Sequence, residues 1–282
     1  MHSNIIYSMP KPIFTIDPDE VNDSYQENMK KTMSVKDIIN EKIFNPTIKS
    51  IFLAVAKNCS IFANKTYLLN IIKQKPYSSH AARAFITPQN PTVYGDNYIY
   101  VNNTYVVKVI NYQDNPEAEF DIINEIAMQL YANTLKHTCD INVPNIVNYG
   151  KVCLSDTEKI HNSFNHNCFF YFTMNKIDDM SLDKFAKTVS PDICEPVVKK
   201  ANEVNQCLIE HGLYHNDYHA QNVLADEQGD ITILDFGNAT DHITDFDDKN
   251  TLNIKCGNKG GRKSRGKKYK RKTKRRLRTR RL

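Results

Sequence analysis

The feature that most constrains this chain is a pair of short polar motifs set one hairpin apart. His215-Asn216-Asp217-Tyr218-His219-Ala220-Gln221-Asn222 has the form H-x-D-x-x-x-x-N, and Leu234-Asp235-Phe236-Gly237 places D-F-G directly after an apolar run. Between them, Val223-Leu224-Ala225, the turn Asp226 to Asp230 and Ile231 to Leu234 read as a β-hairpin. The 13-residue step from Asn222 to Asp235 therefore predicts the two side chains next to each other at the hairpin mouth. Two oxygen donors placed so suit Mg²⁺, which takes a few protein oxygens and keeps positions for phosphate. Either motif alone is cheap; both, in this order and with a hairpin pattern between them, are not.

Upstream, the texture changes at Thr92. Thr92-Val-Tyr-Gly95, Tyr98 to Val101 and Thr104 to Ile110 are β-branched and aromatic, with Asn102-Asn103 as a turn. Pro116 to Leu135 reads as a helix with acids in its first turns, Ile146 to Leu154 and Cys168 to Met174 as strands, and Pro191 to His211 as a helix stopped by Gly212. Before Thr92, residues 25 to 75 read as helical: Ser34 is an N-cap candidate, Asn45-Pro46 ends a first helix, and an apolar segment runs from about 48 to 72. Residues 1 to 24 read as an extended lead, and the turn-rich stretch Pro76 to Pro91 as a boundary.

With those motifs stated, the chain from about Thr92 to Asp241 resembles a protein-kinase-like phosphotransferase. The resemblance implies an α+β, bilobal fold: a small antiparallel β N-lobe, a reduced helical C-lobe, an N-terminal helical extension over 1–88, a kinase-like domain over 89–250 and a disordered basic tail over 251–282. It implies ATP and Mg²⁺ as cofactors. Tyr105-Val-Val-Lys108 resembles the strand whose lysine pairs with the α/β-phosphates. Glu125 is the matching helix glutamate, with Glu119 as competitor. Met174 takes the gatekeeper place, and the backbone of Asn175, Lys176 and Ile177 would meet adenine. Asp217 would act as catalytic base, and Asn222 and Asp235 would hold Mg²⁺.

Three departures matter. The phosphate-covering loop offers Gly95 where the family has three glycines. His219 stands where protein kinases carry lysine and, as a catalytic residue, could still donate to the transferring phosphate, while Asn216 replaces the arginine of H-R-D, which argues against activation by a phosphorylated loop. Only 21 residues separate Gly237 from Lys259, so the C-lobe reads as truncated, as in minimal atypical kinases such as the small one of the tRNA-modifying KEOPS complex. Residues 25 to 75 are expected to cover the surface this leaves. The first choice of acceptor is a protein serine or threonine. The alternatives are a small-molecule kinase of the aminoglycoside or choline type, and a pseudokinase or nucleotide-regulated module acting through its basic tail.

Charge divides the chain sharply. Residues 259–282 hold 15 Lys/Arg and no acid, which leaves 22 basic against 32 acidic residues in the rest. Such an arm cannot bury a core and implies nucleic acid or nuclear import machinery as partner. It resembles tails on proteins of large nucleocytoplasmic DNA viruses, and the Asn/Ile/Lys-rich body points to the same source. No stretch reads as membrane-spanning or as a signal peptide. Seven scattered cysteines without C-x-x-C predict free thiols in a reducing compartment, hence an intracellular setting, in preference to a disulfide or zinc framework.

Overall fold

The structure, a computed structural model, describes residues 33–61, 63–73, 95–155, 166–243 and 251–257. The expected lead at 1–24, the boundary at 76–91, Thr92 to Tyr94 and the basic arm lie outside these residues.

Three helices come first. Ser34 caps α1 (Val35–Lys42): its hydroxyl accepts from the Asp37 amide, and the Asp37 carboxylate accepts from the Ser34 amide. Asn45 Oδ1 accepts from the Thr47 and Ile48 amides at the start of α2 (Pro46–Ile61). The apolar segment read as continuous to residue 72 is divided, because Asn64 caps a new helix, α3 (Lys65–Ile72), through the Tyr67 amide.

The hairpin β1 (Gly95–Val101) and β2 (Tyr105–Tyr112) turns about Asn102, whose Oδ1 accepts from the Thr104 and Tyr105 amides. After α4 (Pro116–Thr134), β3 (Ile146–Cys153) and β4 (Cys168–Asn175) complete an antiparallel sheet in the order β1-β2-β4-β3. Strand alternation sorts its side chains into two layers. Val107, Val109, Phe169 and Tyr171 pack with Leu68 and Ile72 of α3. Ile110, Tyr112, Phe170 and Phe172 join the core built on α4. Lys108 shares the parity of Ile110 and Tyr112, so its side chain leaves the sheet on the α4 side.

The second half holds β5 (Met180–Ser181), α5 (Leu182–Thr188), α6 (Pro191–Glu210), β6 (Val223–Ala225) and β7 (Ile231–Ile233), the strands pairing in the order β5-β6-β7. Gly212, at φ 72°, supplies the left-handed residue that ends α6. Gly229, at φ 83°, does the same in the predicted β6–β7 hairpin. No described helix is long and apolar enough to cross a membrane.

Two expectations are corrected. Among the described residues, the N-terminal helices pack chiefly on α4 and meet the C-terminal half at Asp241, rather than covering α6. Ile38, Ile39, Ile43, Ile48 and Phe52 of the α1–α2 pair share a core with Ile122, Ile123 and Ile126 of α4, with the Phe52 and Phe120 rings 5.8 Å apart. The faces are matched: a residue every three or four along α1 and α2 is apolar, and so is the outward stripe of α4. The cover on α6 comes from residues 251–257 instead. Asn202 exchanges two hydrogen bonds with the Leu252 backbone (2.8 and 3.2 Å), and the Gly257 amide donates to Ala186 O at 3.2 Å.

The cysteines are the second correction. Cys139–Cys207, Cys153–Cys168 and Cys194–Cys256 are disulfides, and Cys59 is a free, buried thiol. Cys153 and Cys168 stand directly opposite in the β3–β4 register, and Cys194–Cys256 fastens the 251–257 segment to α6. Tertiary pairing of this kind leaves no trace in sequence spacing.

Candidate active site

The sheet, α4 and the β6–β7 hairpin enclose a cleft of about 250 Å³. Ile99 and Val106 line it from the sheet, Glu125 and Gln129 from α4, Met174, Asn175 and Ile177 from the end of β4 and just beyond, and Asn222, Leu224, Leu234 and Asp235 from the hairpin. Its floor is Lys108. The ammonium nitrogen sits 2.6 and 2.7 Å from the two Glu125 oxygens and 3.9 Å from Asp235 Oδ1. Burial opposes the Lys108 charge, but Glu125 and Asp235 outweigh it and hold the ammonium pKa above its ordinary value. Burial pushes the Glu125 carboxyl above the ordinary carboxylate range, with Lys108 pulling against it. Glu119, the competitor, is engaged elsewhere, 2.7 Å from Lys151.

The catalytic-loop motif is held from three sides. His215 is fully buried; its Nε2 faces Leu234 O at 2.9 Å, which requires Nε2 to carry the proton, and burial keeps the ring pKa low. The Tyr218 hydroxyl donates to Ala201 O of α6 at 2.6 Å. Asn216, at φ 58°, donates its amide to Asn238 O and Thr240 Oγ1. Asp217 is thereby presented beside Asn222, whose Nδ2 donates to Asp217 O and Oδ2 at 3.1 and 3.2 Å. With its amide hydrogens turned to Asp217, Asn222 leaves Oδ1 as its oxygen for a cation. Asp235, at φ 61°, offers a carboxylate in the same cleft. That donor set, one neutral and one anionic oxygen beside room for phosphate, fits Mg²⁺. Non-glycine residues seldom adopt this backbone region, and two of the three that do among the described residues, Asn216 and Asp235, flank the site (the third is Asp140).

His219 is more exposed, at 44 % of its side chain. Its Nδ1 accepts from the Gln221 and Asn222 amides at 3.2 and 3.3 Å, and Nε2 lies 3.5 Å from Asp217 Oδ1. It closes the turn that carries Asn222, a task for an acceptor nitrogen that lysine cannot perform.

The hinge residues divide. Met174, Asn175 and Ile177 line the cleft, but the Asn175 and Lys176 amides are spent on Asn145 O (3.0 Å) and Thr104 O (2.8 Å). The Lys176 ammonium pairs with Asp178. Two of the three hinge amides are thus already engaged within the protein. Gly95 opens β1 opposite Tyr112, four positions from Ile99, which faces Lys108 across the hairpin. That is about 13 Å along the strand.

Several residues of this assembly carry no sequence motif. Gln129 donates to Pro144 O at 2.7 Å behind Met174. Asn124 donates to Gly237 O (3.3 Å) and Ala239 O (3.0 Å). Asp241 accepts from the Phe44 and Asn45 amides, each at 2.6 Å.

Residues 169–255 match the model of the ABC1 atypical kinase-like domain. No curated protein matches the chain. Among solved structures, WbdD is similar over 55% of this chain and 32% of its own, at 16% identity and a TM-score of 0.37. Another WbdD structure, described as the bifunctional kinase-methyltransferase, is similar at 16% identity and 0.36 over 52% and 30%. The kinase PK-1 of the Cydia pomonella granulovirus is similar at 15% identity and 0.34 over 53% and 49%. The chain thus spans between about a third and a half of these structures' length. The match to the ABC1 atypical kinase-like domain runs through both polar motifs and the hairpin between them.

Proposed function

We propose that the chain is an ATP- and Mg²⁺-dependent phosphotransferase acting on serine or threonine hydroxyls of protein. The observation that carries this reading is the buried Lys108–Glu125 pair with Asp235 3.9 Å away, the arrangement a phosphoryl-transfer site needs before nucleotide arrives. Met174, Asn175 and Ile177 receive the base. Lys108, oriented by Glu125, binds the α/β-phosphates. Asn222 and Asp235 hold Mg²⁺, which when bound neutralises charge on the phosphate oxygens. Asp217 accepts the hydroxyl proton as the acceptor oxygen bonds to the γ-phosphorus, and the bond to the β–γ bridging oxygen breaks to release ADP. His219 fixes the turn that presents Asn222 and holds Asp217 in place.

The test is Mg²⁺-dependent transfer of labelled γ-phosphate to the chain itself and to a generic protein, beside Lys108→Ala. Label on serine or threonine that disappears in the variant is expected. Label found only on small hydroxyl compounds favours the small-molecule reading. Binding of ATP with no transfer at all overturns the proposal in favour of a nucleotide-regulated module.

The arm at 259–282 is assigned to nucleic-acid phosphates or nuclear import machinery, on its 15 uncompensated positive charges.

A further inference from the structure

We propose that the α1–α2 pair is a built-in clamp on α4, locked through Asp241 and Asn124, which keeps the Lys108–Glu125–Asp235 site assembled without a phosphorylated loop. The inference rests on the phosphotransferase reading above, and it concerns what keeps that site in order.

A kinase-like site works only when the helix glutamate and the D-F-G aspartate are in place together, and in regulated members a loop phosphate paired with arginine holds both. Here Asn216 replaces that arginine. Its amide donates straight to the segment that follows D-F-G, at Asn238 O (3.0 Å) and Thr240 Oγ1 (2.9 Å). Thr240 in turn exchanges two backbone hydrogen bonds with Tyr214, at 2.8 and 2.9 Å, tying that segment to the start of the catalytic loop.

The next residue, Asp241, has a fully buried carboxylate. A buried carboxylate is costly unless its oxygens are satisfied. Oδ2 accepts from the Phe44 and Asn45 amides in the α1–α2 connection, and Oδ1 faces His242 Nδ1 at 2.9 Å. From the other side, Asn124 reaches out of α4 to Gly237 O and Ala239 O. Asn124 is the neighbour of Glu125. The same α1–α2 pair grips the outer face of α4 through Phe52 on Phe120 and through Lys42, which is 3.0 Å from Glu117 and 4.9 Å from the centre of the Phe120 ring. One hydrogen-bonded network therefore joins the N-terminal helices, α4, the D-F-G segment and the catalytic loop. Asp241 stands at its crossing and acts as a positioning residue.

The experiment uses the full chain with Asp241→Ala, Asp241→Asn and, as a destabilised control away from the clamp, Leu208→Ala. Amide exchange over 116–134 and 235–241, nucleotide affinity and the kcat of transfer are measured well below each melting temperature. Asp241→Ala is expected to speed exchange in both segments and to lower kcat about tenfold or more, since misplacement of a site by a remote change costs that much. Asp241→Asn, which keeps an acceptor oxygen, is expected to restore both. Leu208→Ala is expected to leave kcat unchanged. Phosphatase treatment of the wild type should not alter its rate. If Asp241→Ala does not fold, Asn124→Leu, which keeps the volume and removes both amide donors, carries the same expectations. Wild-type exchange and kcat in the clamp variants, an equal kcat loss in Leu208→Ala, or a rate abolished by phosphatase each overturn the proposal. Were the chain to transfer no phosphate, exchange and nucleotide affinity would still decide whether the clamp exists.

Discussion

The Lys108 ammonium lies within 2.7 Å of both Glu125 carboxylate oxygens, although the two residues are 17 apart in sequence and on different elements. Both side chains are largely withdrawn from water, at 16 % and 9 % exposure. Removing one partner of such a pair leaves the other charge stranded, whereas replacing both by apolar groups does not. Lys108→Met should therefore cost about 3–5 kcal/mol of stability. The double variant Lys108→Met/Glu125→Met should recover most of that loss. Denaturant unfolding of the four proteins of this cycle reads the result, and equal losses in single and double variants would refute the pairing.

The disulfides predict a redox-dependent stability. Cys194–Cys256 closes a separation of 62 residues and Cys139–Cys207 one of 68. Cross-links of that span stabilise by typically about 2–4 kcal/mol. Non-reducing peptide mapping should recover all three pairs, and a thiol reductant should lower the melting temperature. Burial pushes the Cys59 thiol well above the ordinary cysteine range, so alkylation there should be slow until the chain unfolds. Free thiols at all seven positions in the native, air-equilibrated protein would contradict this part of the account.

His215 predicts the sign of a pH effect. Burial lowers its pKa in the folded chain, so the unfolded chain binds the proton more readily. Stability from this group is present above the unfolded value of about 6.5 and is lost as pH falls below it. The difference in melting temperature between wild type and His215→Asn should shrink on acidification from pH 7.5 to 5.5. A difference that stays constant or grows would show that His215 is not held neutral.

The basic arm predicts a salt signature. If about ten of its charges engage duplex DNA, the log–log slope of affinity against salt should be roughly −9. Truncation after Asn258 should abolish that binding and leave nucleotide binding unchanged. Salt-sensitive binding that survives truncation would place the contact on the body.

What was legible in the sequence was what local chemistry determines. The β6–β7 hairpin follows from Val223-Leu-Ala, a turn containing Gly229 and Ile231-Thr-Ile, and its mouth brings Asn222 and Asp235 into one cleft. The Lys108–Glu125 pair was legible through the resemblance of Tyr105-Val-Val-Lys108 to the kinase lysine strand; in the fold, strand parity is what turns Lys108 toward α4. What remained hidden depends on surfaces meeting. Nothing in Asp241 signals that it accepts from Phe44 and Asn45, nearly 200 residues earlier. Nor does the apolar face of α1 and α2 say which helix it covers. The cysteine pairs were misread for the same reason: Cys153 and Cys168 become partners only when β3 and β4 align.

The most direct measurement is single-turnover transfer of labelled γ-phosphate by Asp217→Asn at saturating Mg²⁺ and ATP, with nucleotide affinity determined alongside. Asp217 contacts Asn222 and, in the proposed mechanism, meets the acceptor hydroxyl rather than the nucleotide base, so affinity should hold while the rate falls by about 10²–10⁴. Transfer at the wild-type rate in Asp217→Asn would contradict the mechanism at its centre.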